Sequence, residues 1–190
     1  MKKVALILAL VLAGMFSLNA QERMKFMGKS MDCTKEEMSK HLQGRGFKYY
    51  DKGENWIRLK GTFQGRMDCT VVLRTDYSVL SFCRIVLPEK SYSQSWNELY
   101  TEYSYMVNRL KEKYGEPTSE ERFDDEPSYS FSDYQKMNHV EEGKCHYESC
   151  FLVGDYGYIL VYIDSSKRVF VDYNDISNRN KIEQMQNDEL

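Results

Sequence analysis

SWNELYTEYSYMVNRLKEKYGEP, residues 95–117, is the stretch that decides the fold. Ser95 and Glu98 stand at the spacing of a capping box, in which each side chain satisfies a backbone donor of the other residue. Gly115 ends the helix, and Pro117 prevents its restart. Apolar and aromatic residues recur every three or four positions, which is the period of one helical face: Trp96, Leu99, Tyr100, Tyr103, Met106, Val107, Leu110 and Tyr114. This pattern predicts a long amphipathic helix that packs on a sheet.

Runs of alternating polar and apolar residues on both sides of this helix predict antiparallel strands. A first helix is expected from the capping box of Thr34 and Glu37 to about residue 43, and a short polar helix from residue 174 onward. Because adjacent strands predominate over βαβ alternation, we expect an α+β fold with helices packed on one face of an antiparallel sheet. The expected strands are residues 55–62, 68–74, 78–87, 144–153, 157–163 and 168–173, with 128–134 as a candidate edge strand.

The two sets of strands resemble each other, which suggests two similar helix-plus-hairpin halves at residues 24–90 and 91–174, followed by a polar tail at 175–190. The alternative is that any two hairpins with one exposed face share the same alternation. The matches at a constant offset are Phe63 with Phe151, Val71 with Ile159, Leu73 with Val161, Asp76 with Asp164 and Phe82 with Phe170.

Residues 1–20, MKKVALILALVLAGMFSLNA, have the order of a signal peptide: two lysines, an apolar run and a small-residue ending. Cleavage would leave Gln21 as the first residue of a single domain, 21–190. The alternative is an uncleaved anchor, for which the apolar run is short. No cysteine stands at the cleavage point to carry a lipid. We therefore expect an exported protein, periplasmic or extracellular, with no membrane anchor after cleavage.

The charge balance narrows the class of partner. Removing the leader with its two lysines leaves 24 basic and 29 acidic residues, a formal charge of −5. This argues against nucleic acid and anionic membranes as partners. The 15 tyrosines, 9 phenylalanines and 2 tryptophans fill a core and coat a sheet in the simplest interpretation. The alternative is an aromatic binding face.

The five cysteines favour disulfides in an oxidising compartment, and their odd number leaves at least one thiol unpaired. If residues 75–77 form a three-residue loop, the register places Cys69 opposite Cys83, and a cross-strand disulfide becomes possible. A slip of one residue would point the two side chains to opposite faces. Cys33, at a packing position beside the first helix, is the candidate for the unpaired thiol.

Chemistry-bearing residues are few. Thiol and imidazole side chains, which are ligands for zinc and copper, stand close together in one stretch of the sequence: His139, Cys145, His146 and Cys150. These four residues are therefore candidates for a zinc or copper site. Their spacing fits no standard zinc pattern, and a disulfide or buried cysteines are the simpler interpretation. No nucleophile elbow, HExxH helix or phosphate loop is present in the sequence. No catalytic residue and no cofactor is therefore assigned.

Several segments resemble a group of small secreted proteins from Bacteroidetes: MKFMGKSMDCTKEEMSKHLQGRGF, FQGRMDCTVVL, the tryptophan-to-KYGEP helix and VDYND. The layout of helix and sheet is also similar to the β-lactamase inhibitor protein and to small outer-membrane assembly proteins. A shared fold does not assign a function.

The sequence favours a secreted binding or interaction module of the bacterial cell envelope. Its exposed sheet face, or the acidic loop near Asp124, would bind an envelope or extracellular protein. The alternative is an envelope hydrolase that uses carboxylates or the Cys145–His146 region, which requires a pocket with convergent polar groups.

Overall fold

A computed structural model describes residues 23–88, 94–124 and 131–189. The expected signal peptide, residues 1–20, lies outside the described residues. The described strands are β1 (Lys25–Phe26), β2 (Lys29–Ser30), β3 (Lys48–Lys52), β4 (Trp56–Phe63), β5 (Arg66–Asp76), β6 (Val79–Val86), β7 (Thr118–Phe123), β8 (Cys145–Val153), β9 (Gly157–Asp164) and β10 (Arg168–Asp175). The described helices are α1 (Lys35–Gly44), α2 (Trp96–Tyr114), α3 (Asp133–Glu141) and α4 (Ile176–Asn187).

Eight of these strands form one antiparallel sheet in the order β3-β4-β5-β6-β10-β9-β8-β7, and β1 pairs with β2 separately. The helices contact the strands of the sheet, which confirms the expected α+β class. Among the described residues, no helix is both long enough and apolar enough to cross a membrane.

The core lies between the helices and one face of the sheet. The capping box of Ser95 and Glu98 starts α2 as the sequence predicts. The predicted stripe of α2 is buried at Trp96, Leu99, Tyr103, Met106 and Leu110. Helix α2 contacts β8, β9 and β10, and α1 contacts β4 and β5. The inward residues of the strands are buried, among them Val71, Leu73, Ile85, Phe151, Ile159, Val161 and Val171.

The same order of elements occurs twice along the chain. Helix α1 is followed by the four strands β3 to β6, and helix α2 by the four strands β7 to β10, with α3 placed between β7 and β8. The last strands of the two halves, β6 and β10, pair at the centre of the sheet. There Arg84 lies opposite Asp172, and these two residues are separated by 88 positions. The same offset of 88 residues relates Phe82 to Phe170, so Arg84 and Asp172 are equivalent positions of the two halves. Because these equivalent positions pair with each other, they lie on the axis that relates the halves.

The register supports the repeat in one hairpin and corrects it in the next strand. Leu73 pairs with Cys83 in the first half, and Val161 pairs with Val171 in the second. Farther out, Val71 pairs with Leu59, whereas Ile159 pairs with Phe151. Phe151 therefore corresponds to Leu59, and the sequence match of Phe63 with Phe151 is not a structural equivalence.

The predicted register of the β5–β6 hairpin is wrong. Tyr77 and Ser78, with φ of 50° and 63°, form a two-residue turn, and a bulge follows between Arg74 and Thr75. The pairing shifts by four residues as a result. Leu73 rather than Cys69 lies opposite Cys83, so the expected disulfide is not formed. Both cysteines are buried free thiols, and Cys33, the predicted unpaired thiol, is free as well.

The candidate edge strand at 128–134 is also corrected. Its first residues, 128–130, lie outside the described residues, and the rest leads into α3. Ser132 and Gln135 form a capping box there, a signal that the polar composition of this region obscured. The two edge strands, β3 and β7, were not predicted, because they are short and carry mostly exposed side chains.

The C-terminal tail is a helix, as expected, and its first turn is tied to the core. Asp175 is 1 % exposed and caps α4 by accepting the backbone N–H of Asn178 at 2.9 Å. The same carboxylate accepts the backbone N–H of Met24 at 3.1 Å. Asn178 donates to the carbonyl oxygens of Met31 and Leu80. The N-terminal segment and the tail therefore hold each other in place.

Replacing Gly61 with alanine should destabilise the fold, whereas the matched change Gly44→Ala should not. A Cβ at Gly61 would lie 2.5 Å from the ring of Phe47, which is 3 % exposed, and such overpacking costs about 1–3 kcal/mol. A Cβ at Gly44 meets nothing within 4 Å, and alanine favours a helix by up to about 1 kcal/mol. Urea unfolding midpoints measure both. Equal midpoints for the two variants would contradict the packing of the Phe47 ring on Gly61 of β4.

Candidate functional site

The alternation of the strands leaves the second side of the sheet accessible. In β5, Val71 and Leu73 are buried beneath the helices, whereas Val72 is half-buried and Arg74 is exposed. The neighbouring strands repeat this pattern. We call the side of the sheet that carries Val72 and Arg74 the open face.

A groove of about 580 Å³ crosses the open face over β4, β5, β6 and β10. We call it the open-face groove. Its lining combines three arginines, three aromatic side chains and two valines, and it contains no carboxylate: Asn55, Trp56, Arg58, Val72, Arg74, Phe82, Arg84, Val86 and Phe170.

One row of side chains across the sheet sets the geometry of this groove. Val72 at its centre lies opposite Arg58 on one side and Arg84 on the other. Asp51 lies next to Arg58, and Asp172 next to Arg84. The row therefore has a valine at its centre, an arginine on each side of the valine, and an aspartate on the outer side of each arginine.

The two aspartates hold their arginines by paired hydrogen bonds. Arg84 donates from Nε and Nη2 to the two carboxylate oxygens of Asp172, at 2.8 and 2.7 Å. Arg58 donates from Nε to Asp51 at 2.6 Å and from Nη2 to the second oxygen. These hydrogen bonds raise the pKa of both guanidinium groups above their usual range, so both stay charged.

Aromatic rings support the same two guanidinium groups. The guanidinium carbon of Arg58 lies 4.7 Å from the ring centre of Trp56. That of Arg84 lies 4.9 Å from Phe82 and 5.3 Å from Phe170. Stacking and ion pairing together fix the orientation of both side chains.

Arg74 is the arginine with the weakest partner in the groove. Its side chain is 55 % exposed, and Nε lies 3.6 Å from Asp76, beyond hydrogen-bond distance. Its guanidinium carbon is 5.9 Å from the ring centre of Phe82. Most of its five N–H donors therefore face solvent.

These contacts leave the groove rich in hydrogen-bond donors. A guanidinium has five N–H groups, and a bidentate pair uses two of them. The remaining donors of Arg58 and Arg84, together with those of Arg74, suit planar oxyanions such as carboxylates. The aromatic rings between them offer apolar contact area.

The cationic character belongs to one half of the sheet. At the offset of 88 residues, Arg74 corresponds to Tyr162 and Arg84 to Asp172. The residues buried beneath the helices keep their type in the two halves, as Leu73 and Val161 do. The open faces of the two halves therefore differ in charge, although their cores are alike.

The four candidate metal ligands are not brought together. His146 Nε2 lies 3.1 Å from Oδ1 of Asp124. His139 packs instead against Phe131, with ring centres 4.6 Å apart. Cys145 and Cys150 fall on opposite faces of β8. Across residues 23–88, 94–124 and 131–189, no group of three or more histidine, cysteine or acidic side chains is placed to hold a metal ion.

The Cys145–His146 region lacks the arrangement of a nucleophile and its base. Neighbours on a strand point to opposite faces, and Cys145 packs against the core. Burial raises the pKa of the Cys145 thiol to about 12, so it remains protonated at neutral pH. The imidazole of His146 hydrogen-bonds to Asp124.

Comparisons with family models, curated proteins and solved structures found no match. The resemblance to small secreted proteins of Bacteroidetes therefore stays a prediction. The groove itself was only partly visible in the sequence. Trp56 and Arg58 stand two residues apart in the expected strand 55–62, and side chains at that spacing share one face. The convergence of Arg74, Arg84 and Phe170 depends instead on the register of four strands.

The alkylation rate of Cys145 should rise about tenfold per pH unit from pH 7 to 9, because only the thiolate reacts and the pKa is about 12. Peptide mapping after timed iodoacetamide treatment measures this rate, with Cys145→Ser as the control for peak assignment. A rate that levels off below pH 9 would reveal an activated thiolate and revive the hydrolase alternative.

Proposed function

We propose that this protein is a secreted binding module and that it grips a protein of the cell envelope or the extracellular space through the open-face groove. The observation that carries the proposal is the convergence of three arginines and three aromatic rings around Val72. Arginine, tryptophan and other aromatic residues are enriched where protein interfaces concentrate their binding energy.

The preorganisation of the groove supports this proposal. Side chains that are already ordered lose little conformational entropy when a partner binds. Asp172 and the rings of Phe82 and Phe170 hold Arg84, and Asp51 and Trp56 hold Arg58 in a similar way. The rings also provide apolar area that a partner can bury.

A photoreactive amino acid at Val72, the centre of the groove, should crosslink one recurrent partner in cells. The same amino acid at Asn108, an exposed position on α2, is the matched control and should not capture it. The partner should be lost when Arg74→Gln and Phe82→Ala are combined with the label, because both changes remove contacts without disturbing the core. Identical products from both positions, or a product that persists in the double variant, would contradict binding through this groove.

Export is the second part of the proposal, and the order of residues 1–20 supports it. N-terminal sequencing of protein recovered outside the cytoplasm should begin at Gln21. A charge in the apolar run, as in Leu8→Arg, should block processing, whereas Lys3→Arg should leave it unchanged. A full-length chain that starts at Met1 in the exported fraction would contradict cleavage after Ala20.

A further inference from the structure

We propose that the occupant of the open-face groove is an acidic, extended peptide segment of the partner, with apolar side chains between its carboxylates. This inference rests on the proposed function and names the chemistry of the partner. It follows from the charge, the spacing and the apolar walls of the groove.

Charge complementarity is the first argument. The groove is lined by Arg58, Arg74 and Arg84 and by no carboxylate, in a chain whose formal net charge is −3. Asp51, Asp76 and Asp172 lie beside these arginines but outside the lining, so the groove itself presents cationic N–H donors while the carboxylates stand at its margin. On an otherwise acidic protein, a groove lined by cationic side chains attracts an acidic segment to one place, because the rest of the surface repels that segment.

The spacing of the arginines favours several carboxylates over one small anion. Arg58 and Arg84 lie on β4 and β6, separated by β5, so their backbones are about 10 Å apart at two interstrand spacings. Arg74 lies two residues along β5 from the row that joins them. One carboxylate cannot contact all three guanidinium groups. In an extended peptide of the polyproline II conformation, carboxylates three residues apart lie on the same side and are separated by about 9 Å, which is close to the separation of the backbones of the two outer arginines.

Apolar surface between the charges favours a peptide over a bare polyanion. Trp56, Phe82 and Phe170 line the groove beside the guanidinium groups of Arg58 and Arg84. Beyond Phe170 the open face continues over Tyr162, whose ring stacks on that of Phe170 with centres 5.3 Å apart. At the far side of the open face, Leu152 is 74 % exposed. A ligand with only charged groups would leave this apolar area in water, whereas apolar side chains between the acids would cover it.

The purified mature protein can be titrated into a fluorescein-labelled synthetic peptide in which glutamate recurs at every third residue, with phenylalanine and serine between the glutamates. Fluorescence anisotropy measures the dissociation constant. The control peptide has glutamine at every glutamate. We expect the glutamate peptide to bind at least about tenfold more tightly, because each carboxylate gains charge-assisted hydrogen bonds. Added NaCl should weaken its binding and leave the glutamine peptide nearly unaffected.

Arg74→Gln is the informative variant, because Arg74 is exposed and its ion pair is the weakest in the groove, so the fold should tolerate the change. It should weaken binding of the glutamate peptide by about tenfold. Arg109→Gln is the matched control, since Arg109 is also exposed and paired with a carboxylate, Glu112, but lies on α2. This control should bind as the parent protein does. An equal loss in the two variants would show nonspecific attraction and overturn the assignment.

Two further measurements distinguish the acidic peptide from other ligands of the groove. Inorganic polyphosphate or a single-stranded oligonucleotide that binds more tightly than the peptide, with the same dependence on Arg74, would replace the peptide with a phosphate ligand. A dimer in sedimentation velocity that Arg74→Gln dissociates would replace it with a second copy of the chain. If no probe binds although the crosslink at Val72 remains specific, the acidic-peptide assignment fails and the binding function stands. If both experiments fail, the groove is not a binding site.

Discussion

The antiparallel pairing of β6 with β10 is the constraint on which the rest of this molecule depends. Each half of the chain contributes a helix and four strands that are neighbours in the sheet, and among the described strands this pairing is the one that joins the halves into one sheet of eight. Each half alone would leave β6 or β10 as an open edge, which is a liability in water. Joining them buries Ile85 and Val171 side by side beneath the helices. The register of this pair therefore fixes how the two cores align and which open-face residues become neighbours.

Arg84 and Asp172 occupy the axis of that pairing, and their chemistry breaks the symmetry of the halves. Two identical charged residues at this point would repel each other, whereas an arginine and an aspartate form a bidentate pair at 2.7 and 2.8 Å. The pair is partly exposed, at 31 % and 11 % for the two side chains. Its contribution should exceed the ~0–1 kcal/mol of a surface pair without the desolvation cost of a fully buried one. It also places Arg84 between Phe82 and Phe170, which are themselves equivalent residues of the two halves.

Local signals in the sequence were sufficient for much of the fold. The capping boxes of Thr34 and Ser95 and the periodic stripe of α2 are confirmed because short-range hydrogen bonds and one helical face determine them. The predicted disulfide between Cys69 and Cys83 was wrong because the strand register depends on the turn at Tyr77 and on the bulge beside it. The amino-acid composition does not reveal such a bulge. The groove could not be predicted from the sequence for a related reason. Trp56 and Phe170 are far apart in sequence, and only the order β4-β5-β6-β10 brings them to one cleft.

The two halves have similar buried residues but different charges on the open face, and this difference concerns the position of the three arginines. Packing beneath the helices restricts inward positions to apolar side chains of similar size, so Leu73 and Val161 remain alike. The open face has no such restriction, and most substitutions there change stability by less than about 0.5 kcal/mol. A cluster of three arginines nevertheless has a cost, since like charges about 10 Å apart repel even in water. Asp51 and Asp172 offset this repulsion and still leave donors free on each guanidinium. A fold that needed only stability could place neutral residues on this face. The charge on this face, held in position by rings and carboxylates, is the feature that the proposed ligand would use.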